Sequence, residues 1–436
     1  MRIIADLHIH SKYSRACSSE LNIKNLEKWA RIKGVGLLGT GDFSHPKWQE
    51  ELRKELKDDG SGILRTESGF PFVLQNEISL MYTQGGKGRR IHLVILAPNF
   101  EVVDKITSYL KSKGRVDYDG RPIFNISCIE FAEAMMNISE GIEIIPAHSW
   151  TPWFGIFGSK TGFDSIEEAF GKNAKYIHAF ETGLSSDPEM NWRLSGLDKY
   201  SIVSFSDLHS FWPWRIGREA TVFEFDELTY DNLTRALRTG EGLIETIEVD
   251  PSYGKYHYDG HRLCKVSYSP EESKKHNNIC PVCKRPLTIG VLNRVEELAD
   301  RKEGYKPSTF KPFKRIIPLH ELLALALQSG MATKKVWAEY HEILKAGENE
   351  FDILLNVPEE TLLKFADKEI VDIIMKNRRG EMTIKPGYDG EYGVPVIDGK
   401  EMKLESDDED DKPRKERAAK EDTEVKKSQK GLGDYF

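Results

Sequence analysis

Between Met1 and about Val249, short apolar, β-branched runs alternate with segments of helical periodicity. The runs are RIIADLHI, GVGLLGTGD, FPFVLQNEISL, RIHLVILA, GIEIIPAHS, YIHAFETG and YSIVSFSD, and amphipathic stretches such as 23–33, 102–111 and 128–137 lie between them. Repeated strand-then-helix units predict an α/β fold with a mostly parallel sheet, open or closed into a barrel. The polar residues interrupt this pattern in one place only, at or just beyond the end of each run: His8 and His10, Asp42 and His45, Glu77, His148, Glu181, and Asp207 with His209. That edge is where α/β folds place ligands. His92 departs from the rule and sits near the start of its run.

After Pro251 the pattern changes. A Tyr/Lys/Gly-rich stretch leads into a cysteine-containing segment, giving a module over 251–295. Residues 296–400 combine helical periodicity with a Gly- and Pro-punctuated close, which predicts a mainly helical C-terminal domain. From 401 to 428 charge dominates and almost nothing apolar can be buried, so this segment is read as a disordered tether ahead of a terminal box at 429–436.

Composition narrows the class. A chain of 436 residues exceeds one ordinary core, so two or three domains are expected. With no apolar run of membrane-spanning length and no secretory leader pattern, the expectation is a cytoplasmic protein without a membrane partner. Five cysteines, three of them between Cys264 and Cys283, fit a reducing compartment better than a disulfide framework. The net charge of -8 divides into -7 for residues 1–250, +2 for 251–400 and -3 for 401–436. Charge alone therefore gives no argument for a nucleic-acid partner.

Candidate chemistry begins at Asp6-Leu7-His8-Ile9-His10. Alternate strand residues face one way, so His8 and His10 converge on one point. Counting His92, nine nitrogen or oxygen ligands gather at one sheet edge: His8, His10, Asp42, His45, Glu77, His92, His148, Asp207 and His209. Such a set suits two or three divalent ions, Zn²⁺, Mn²⁺ or Fe²⁺, with Mg²⁺ at an oxygen-rich position. Ions bridged by a carboxylate acidify a shared water and neutralise charge developing on a phosphoester, so the expected reaction is phosphoester hydrolysis.

The motifs D-L-H-I-H, G-T-G-D, N-E, P-A-H and S-D-L-H resemble, in this order, those of the polymerase and histidinol phosphatase (PHP) superfamily. The resemblance implies a distorted (β/α)7 PHP barrel over residues 1–250 around three metals. His8, His10, Glu77 and Asp207 then form the catalytic centre and hold one ion. Glu77 bridges to a second ion shared with His92 and His148, and Asp42 or His45, with His209, holds a third. The family usually has histidine where this chain has Asp42, and Cys17 is a possible substitute ligand.

Two further motifs stand outside the barrel segment. His261-x-x-Cys264 and Cys280-Pro-Val-Cys283 have the spacing of a structural tetrahedral zinc site, with His276 as an alternative to His261. The C-terminal Gln429, Leu432, Tyr435 and Phe436 match Q-x-x-[LIM]-x-x-[FY]-[FY], the sliding-clamp (PCNA) binding box, and the tether ahead of it supplies reach.

Barrel motifs, zinc module, helical domain and clamp box together resemble the endonuclease Q family of DNA repair nucleases. The resemblance implies cleavage of double-stranded DNA on the 5′ side of deaminated bases (hypoxanthine, uracil, xanthine) and at abasic sites. Trp150, Trp153, Trp212 and Trp214 directly follow two metal motifs and are candidates to wedge into the duplex, with Lys160, Arg215 and Arg218 on phosphates. Lys376, Arg378 and Arg379 form a second candidate contact. A small-molecule phosphatase and a non-catalytic clamp-bound scaffold are the alternatives.

Overall fold

In the computed structural model the described residues are 1–397 and 399–401. The first strand, β1 (Arg2–Asp6), lies mid-sheet: it pairs in parallel with β2 (Leu37–Gly39) and antiparallel with the later strand Ala220–Glu224. Next to β2 in parallel runs the long β3 (Pro71–Gln84), which reverses at Gly85-Gly86 into β4 (Lys87–Ala97). Both glycines have left-handed φ (62° and 74°), as a two-residue hairpin turn requires. β4 pairs antiparallel with β5 (Glu143–Pro146), a bridge from Ile144 to Ile177 leads on to β6 (Ala179–Glu181), and β6 pairs in parallel with β7 (Ser201–Val203). The bridge between Ile9 and Leu208 sets the segment after β7 beside the segment after β1. The strand Ala220–Glu224 is β8, and it pairs antiparallel with β9 (Leu243–Glu248).

The sheet is thus mixed where the sequence pattern predicts a mostly parallel one. The run RIHLVILA is the return arm of a hairpin and not a strand reached through a helix. Both faces of the strands are buried: Ile3, Leu37, Val73, Val94, Ile145 and Val203 share one apolar cluster, whereas their neighbours Leu38, Phe72, Leu74 and Ile144 belong to another. Double burial is why these strands read as nearly continuous apolar runs. The helix Ile23–Lys33 shows how local signals match the fold. Asn22 caps its first turn by accepting from the Asn25 N–H, Gly34 ends it at φ 95°, and Ile23, Leu26, Trp29 and Ala30 form its buried stripe.

The described residues form one compact unit. Phe313–Arg315, β10, extends the sheet as a parallel neighbour of β9, so the segment after residue 296 contributes to the same sheet. A buried ion pair ties the helices beyond to the first helix: Lys33 Nζ reaches Glu350 Oε1 at 2.5 Å and the Pro213 carbonyl at 2.9 Å. Glu350 also accepts from Leu319 N (2.9 Å) and Tyr340 OH (2.7 Å), so its charge is well satisfied. No helix among the described residues is long and apolar enough to cross a membrane. The clamp box at Gln429, Leu432, Tyr435 and Phe436, with the charged tether after Glu401, lies outside the described residues.

A second buried acidic feature lies at the end of β9. Burial pushes the Glu248 carboxyl up to about 8, and its Oε1 has no hydrogen-bond partner, while Thr182 OH donates to Oε2 at 2.9 Å. Glu219 is raised for the same reason, with Glu248 adding to it, and accepts from Ser204 OH and from Val249 N–H at 2.8 Å.

Two outcomes follow from these charges. Lys33→Met leaves Glu350 buried and unpaired, and urea titration is expected to show a loss of about 3–5 kcal/mol. Glu248 has a folded pKa above its unfolded one, so its contribution to stability is complete below the unfolded value and is lost as pH rises toward 8. The melting temperature is therefore expected to fall between about pH 4.5 and pH 8 and to level off above that, and Glu248→Gln should flatten that fall, which a pH series of melting curves checks.

Candidate metal centre

Two groups of ligating atoms meet at one carboxylate. His8, His10, Glu77 and Asp207 converge in the first group and Glu77, His92 and His148 in the second, with all atoms of each group within 4.8 Å of one another. Glu77 divides its oxygens between them. Oε2 lies 3.2 Å from His10 Nε2 and 3.6 Å from His8 Nε2. Oε1 lies 2.7 Å from His92 Nδ1 and 3.2 Å from His148 Nε2. Asp207 Oδ1 completes the first group, 3.1 Å from His10 Nε2 and 3.5 Å from His8 Nε2. A tetrahedral ion with bonds of about 2.1 Å holds its ligands roughly 3.4 Å apart, so these spacings suit an ion in each group. His8 Nε2 is moreover a buried polar atom with no hydrogen-bond partner, which a metal bond would satisfy.

The backbone explains how the ligands arrive together. Since β4 runs antiparallel to β3 and β5, its first half lies at the edge where the parallel strands end; His92 pairs with Ser79, two residues beyond Glu77. Asp42, His148 and Asp207 all have left-handed φ, at 44°, 29° and 48°, a conformation that L side chains rarely adopt. Such strain at three turns of one edge is characteristic of a functional site.

Behind the ligands stands a carboxylate for each histidine of the H-x-H pair. Glu181 Oε2 is 2.9 Å from His8 Nδ1 and also accepts the His148 N–H at 2.9 Å. Asp42 Oδ1 is 3.1 Å from His10 Nδ1, while its Oδ2 accepts from Ser11 N and Oγ at 2.6 Å and from Ser14 Oγ at 2.9 Å. Each carboxylate faces Nδ1 and leaves Nε2 turned toward the ligand group, the orientation a metal-ligating imidazole takes. Burial opposes protonation of His8 and His10, yet both are raised well above the ordinary imidazole value, His8 by Glu181, Asp207 and Glu77, His10 by Asp42 and Asp207. Burial likewise opposes ionisation of Glu77, which is nonetheless held well below the carboxylate range by His92, Arg121 and His8. Burial, opposed by Glu77, drives His92 down to about 3. The surplus of carboxylate charge makes this edge a cation site.

Of the nine ligands expected from the sequence, six fall into these two groups. Asp42 is engaged with His10, Ser11 and Ser14. His45 stacks on Tyr13 with ring centroids 4.4 Å apart, and His209 lies 4.7 Å from the His10 ring with Nδ1 3.0 Å from the Asp207 carbonyl. Among the described residues these three do not converge as a third group.

The aromatic residues after the metal motifs divide. Trp150 is fully buried and donates from Nε1 to Asn191 Oδ1 at 2.7 Å. Trp214 is buried against Trp212 (5.6 Å, 9° between planes), His320 and Trp337. Both are buried in packing contacts and present no exposed ring face to a duplex, unlike the wedge position expected of them. Trp153, edge-on to Tyr256 at 5.6 Å, and Trp212 are half-buried, and Lys160 is exposed. Arg218 donates to the Ser206 carbonyl at 3.4 Å, and Arg215 is half-buried. Arg378 is also a structural residue, since its guanidinium caps the helix Glu350–Leu355 through the carbonyls of Leu354 (3.0 Å) and Ile353 (2.6 Å). Arg379 pairs with Glu381 at 2.7 Å.

His261, Cys264, Cys280 and Cys283 form a separate four-ligand group, with His261 Nδ1 3.5 Å from Cys283 Sγ. His276 stacks instead on Tyr268 at 4.9 Å. The two knuckles repeat one geometry: Lys265 and Lys284, each directly after a cysteine, have φ of 53° and 60°. Burial raises the Cys280 thiol, but backbone N–H groups of Cys283 and Val282 bring it down to about 6, favouring the thiolate that a metal needs. The apolar cluster here is only Val266, Cys280 and Leu287.

Two participants carry no motif. Glu181 ends β6, so its place at the edge was visible but its role behind His8 was not. Arg121, in the loop before Ile123, places Nη1 3.1 Å from Glu77 Oε2, and nothing in the local pattern signals it.

Comparison with known proteins places these features in a wider group. The model of the MJ0043 C-terminal domain matches residues 318–381. The uncharacterised protein MJ0043 of Methanocaldococcus jannaschii is 33% identical over 285 residues, covering 64% of this chain and 34% of the relative, so the chain spans about a third of that protein. Among solved structures, the lesion-specific endonuclease PfuEndoQ from Pyrococcus furiosus matches with TM-score 0.82 and 30% identity over 91% of this chain and 96% of that one. A complex of endonuclease Q with a 27-mer duplex substrate bearing an abasic lesion at the active site matches with TM-score 0.82 and 30% identity over 94% and 100%.

Glu181→Ala removes the acceptor that orients His8. Chelator competition is expected to show affinity for the ion at His8 lowered about 10–100-fold, with little change in melting temperature; unchanged affinity would show that Glu181 does not support this ligand.

Proposed function

The chain belongs to the endonuclease Q family, and on that basis we propose that it is a metal-dependent endodeoxyribonuclease of DNA repair. In this reading it cuts the phosphodiester on the 5′ side of deaminated bases and at abasic sites in duplex DNA. The observation that carries the reading is Glu77, one carboxylate with an oxygen in each of two histidine-rich ligand groups at a single sheet edge. His8, His10, Glu77 and Asp207 would hold one divalent ion and Glu77, His92 and His148 a second. When bound, such ions supply Lewis acidity at the phosphate and acidify water.

The chain's own residues do the rest. Glu181 and Asp42 hold His8 and His10 in the ligating orientation. Asp207, with its side chain 30% exposed, forms the open side of the first group, where a backbone phosphate can approach. The half-buried Trp153 and Trp212 are the aromatic candidates for contact with a displaced base, with Lys160, Arg215 and Arg218 near phosphates. The strand pairings leading from β1 to β7, and the Ile9–Leu208 bridge, support a distorted (β/α)7 PHP barrel. The four-ligand cysteine group supports a structural zinc. The clamp box in the terminal segment supports recruitment to a sliding clamp, and all of this suits an intracellular, DNA-associated enzyme.

One assay tests the reading: metal-loaded protein with labelled duplexes containing a single uracil, hypoxanthine or abasic site, beside undamaged DNA and a phosphomonoester. A nick 5′ of the lesion, abolished by Glu77→Gln, is expected. Phosphate release from the monoester without any nick would overturn it.

A further inference from the structure

Arg121 is a cation placed where cations are to be bound. Its Nη1 donates to Glu77 Oε2, the oxygen shared with His8 and His10, and among the described residues Glu77 is the one hydrogen-bond acceptor of its side chain. A guanidinium offers five N–H donors in a planar fork, so most of its capacity is open. The side chain is 26% exposed, unlike the structural Lys33 at 1% or Arg294 at 9%. Part of the side chain is therefore accessible while Nη1 stays on Glu77.

The loop is built to deliver it there. A Cβ at Gly120 would lie 2.2 Å from Asp42 Oδ2 and 2.3 Å from Ser14 Oγ, so only glycine allows the backbone so close. Gly120 N–H donates to the Tyr13 carbonyl at 3.1 Å, and its own carbonyl accepts from Asn76 Nδ2 at 3.3 Å. Asp119 Oδ1 accepts the Arg121 N–H at 3.2 Å.

Charge decides what this guanidinium is for. The two ligand groups contain two carboxylates, Glu77 and Asp207, and Glu181 and Asp42 stand directly behind them, so two divalent ions would already balance the four without Arg121. A further fixed cation repels ions and does not help to hold them. It becomes favourable when an anion joins the site.

We propose that Arg121 binds a non-bridging oxygen of the DNA phosphate that is cut, acting as a fixed clamp opposite the ion site; this rests on the nuclease reading above. Glu77 holds the guanidinium in place before substrate arrives, and once Glu77 turns its lone pairs to ions the fork is free to pair with phosphate.

The test compares parent protein with Arg121→Ala and Arg121→Lys on a duplex carrying one abasic-site analogue. Metal content, melting temperature, steady-state cleavage and the salt dependence of binding in Ca²⁺ are measured for each. Arg121→Ala is expected to lower kcat/KM about 100-fold and to reduce the slope of log K against log[salt] by about 0.9, with metal content and melting unchanged. Arg121→Lys should restore the slope but only part of the rate, because it keeps charge and loses the fork. Metal loss from Arg121→Ala in parallel with activity would overturn the proposal, as Arg121 would then serve to position Glu77. Unchanged cleavage and salt slope would overturn it equally. If the parent binds the duplex and never nicks it, the nuclease reading fails, while the salt slope still reports whether Arg121 meets phosphate.

Discussion

The carboxylate of Glu77 is the constraint on which the site depends. It is fully buried, ionised, and placed with one oxygen toward His8 and His10 and the other toward His92 and His148. A buried carboxylate without partners is prohibitively costly. Here four imidazoles and one guanidinium surround it, so the position of each is tied to the same anion. Moving Glu77 would unpair all five, and for that reason β3, β4, the turn after β5 and the Arg121 loop must meet at one register.

The hairpin β3–β4 is what permits that meeting. Parallel strands joined through helices bring their C-terminal ends to one edge, as the polar residues at the ends of the runs foretold. An antiparallel strand brings its N-terminal half there instead, and His92 takes its place for that reason. Left-handed turns at Asp42, His148 and Asp207 accompany three of these strand ends.

Legibility followed the physics of each part. His8, His10, Glu77, His148 and Asp207 were readable because strand ends and short motifs place them locally. The mixed sheet was not, since Gly85-Gly86 between two apolar runs is a short signal against seven apparent strand-and-helix repeats. Asp42 looked like a ligand because its motif position invites one, and only three-dimensional contact shows Ser11, Ser14 and His10 around it. Trp150 and Trp214 were ambiguous in sequence because a tryptophan next to a metal motif serves packing and recognition equally well; burial separates the two. Arg121 was invisible, as it sits in a loop and its partner lies 44 residues away on β3.

The two ligand clusters of the chain differ in how far they are formed by protein alone. At the sheet edge the histidines are held by Glu181 and Asp42 within an extensive core, so the ligands are oriented by hydrogen bonds that exist without any ion. In the cysteine module three buried side chains are too few to fix a fold, and the four ligands sit on two knuckles whose lysines adopt left-handed backbone. A metal held there would add to folding, because apart from the short Asp259–His261/Val266–Tyr268 hairpin and a few backbone hydrogen bonds the knuckles have little core of their own. A chelator is therefore expected to act on the two clusters differently: at the edge it would leave a ligand frame that hydrogen bonds already hold, whereas in the module it would loosen the two knuckles.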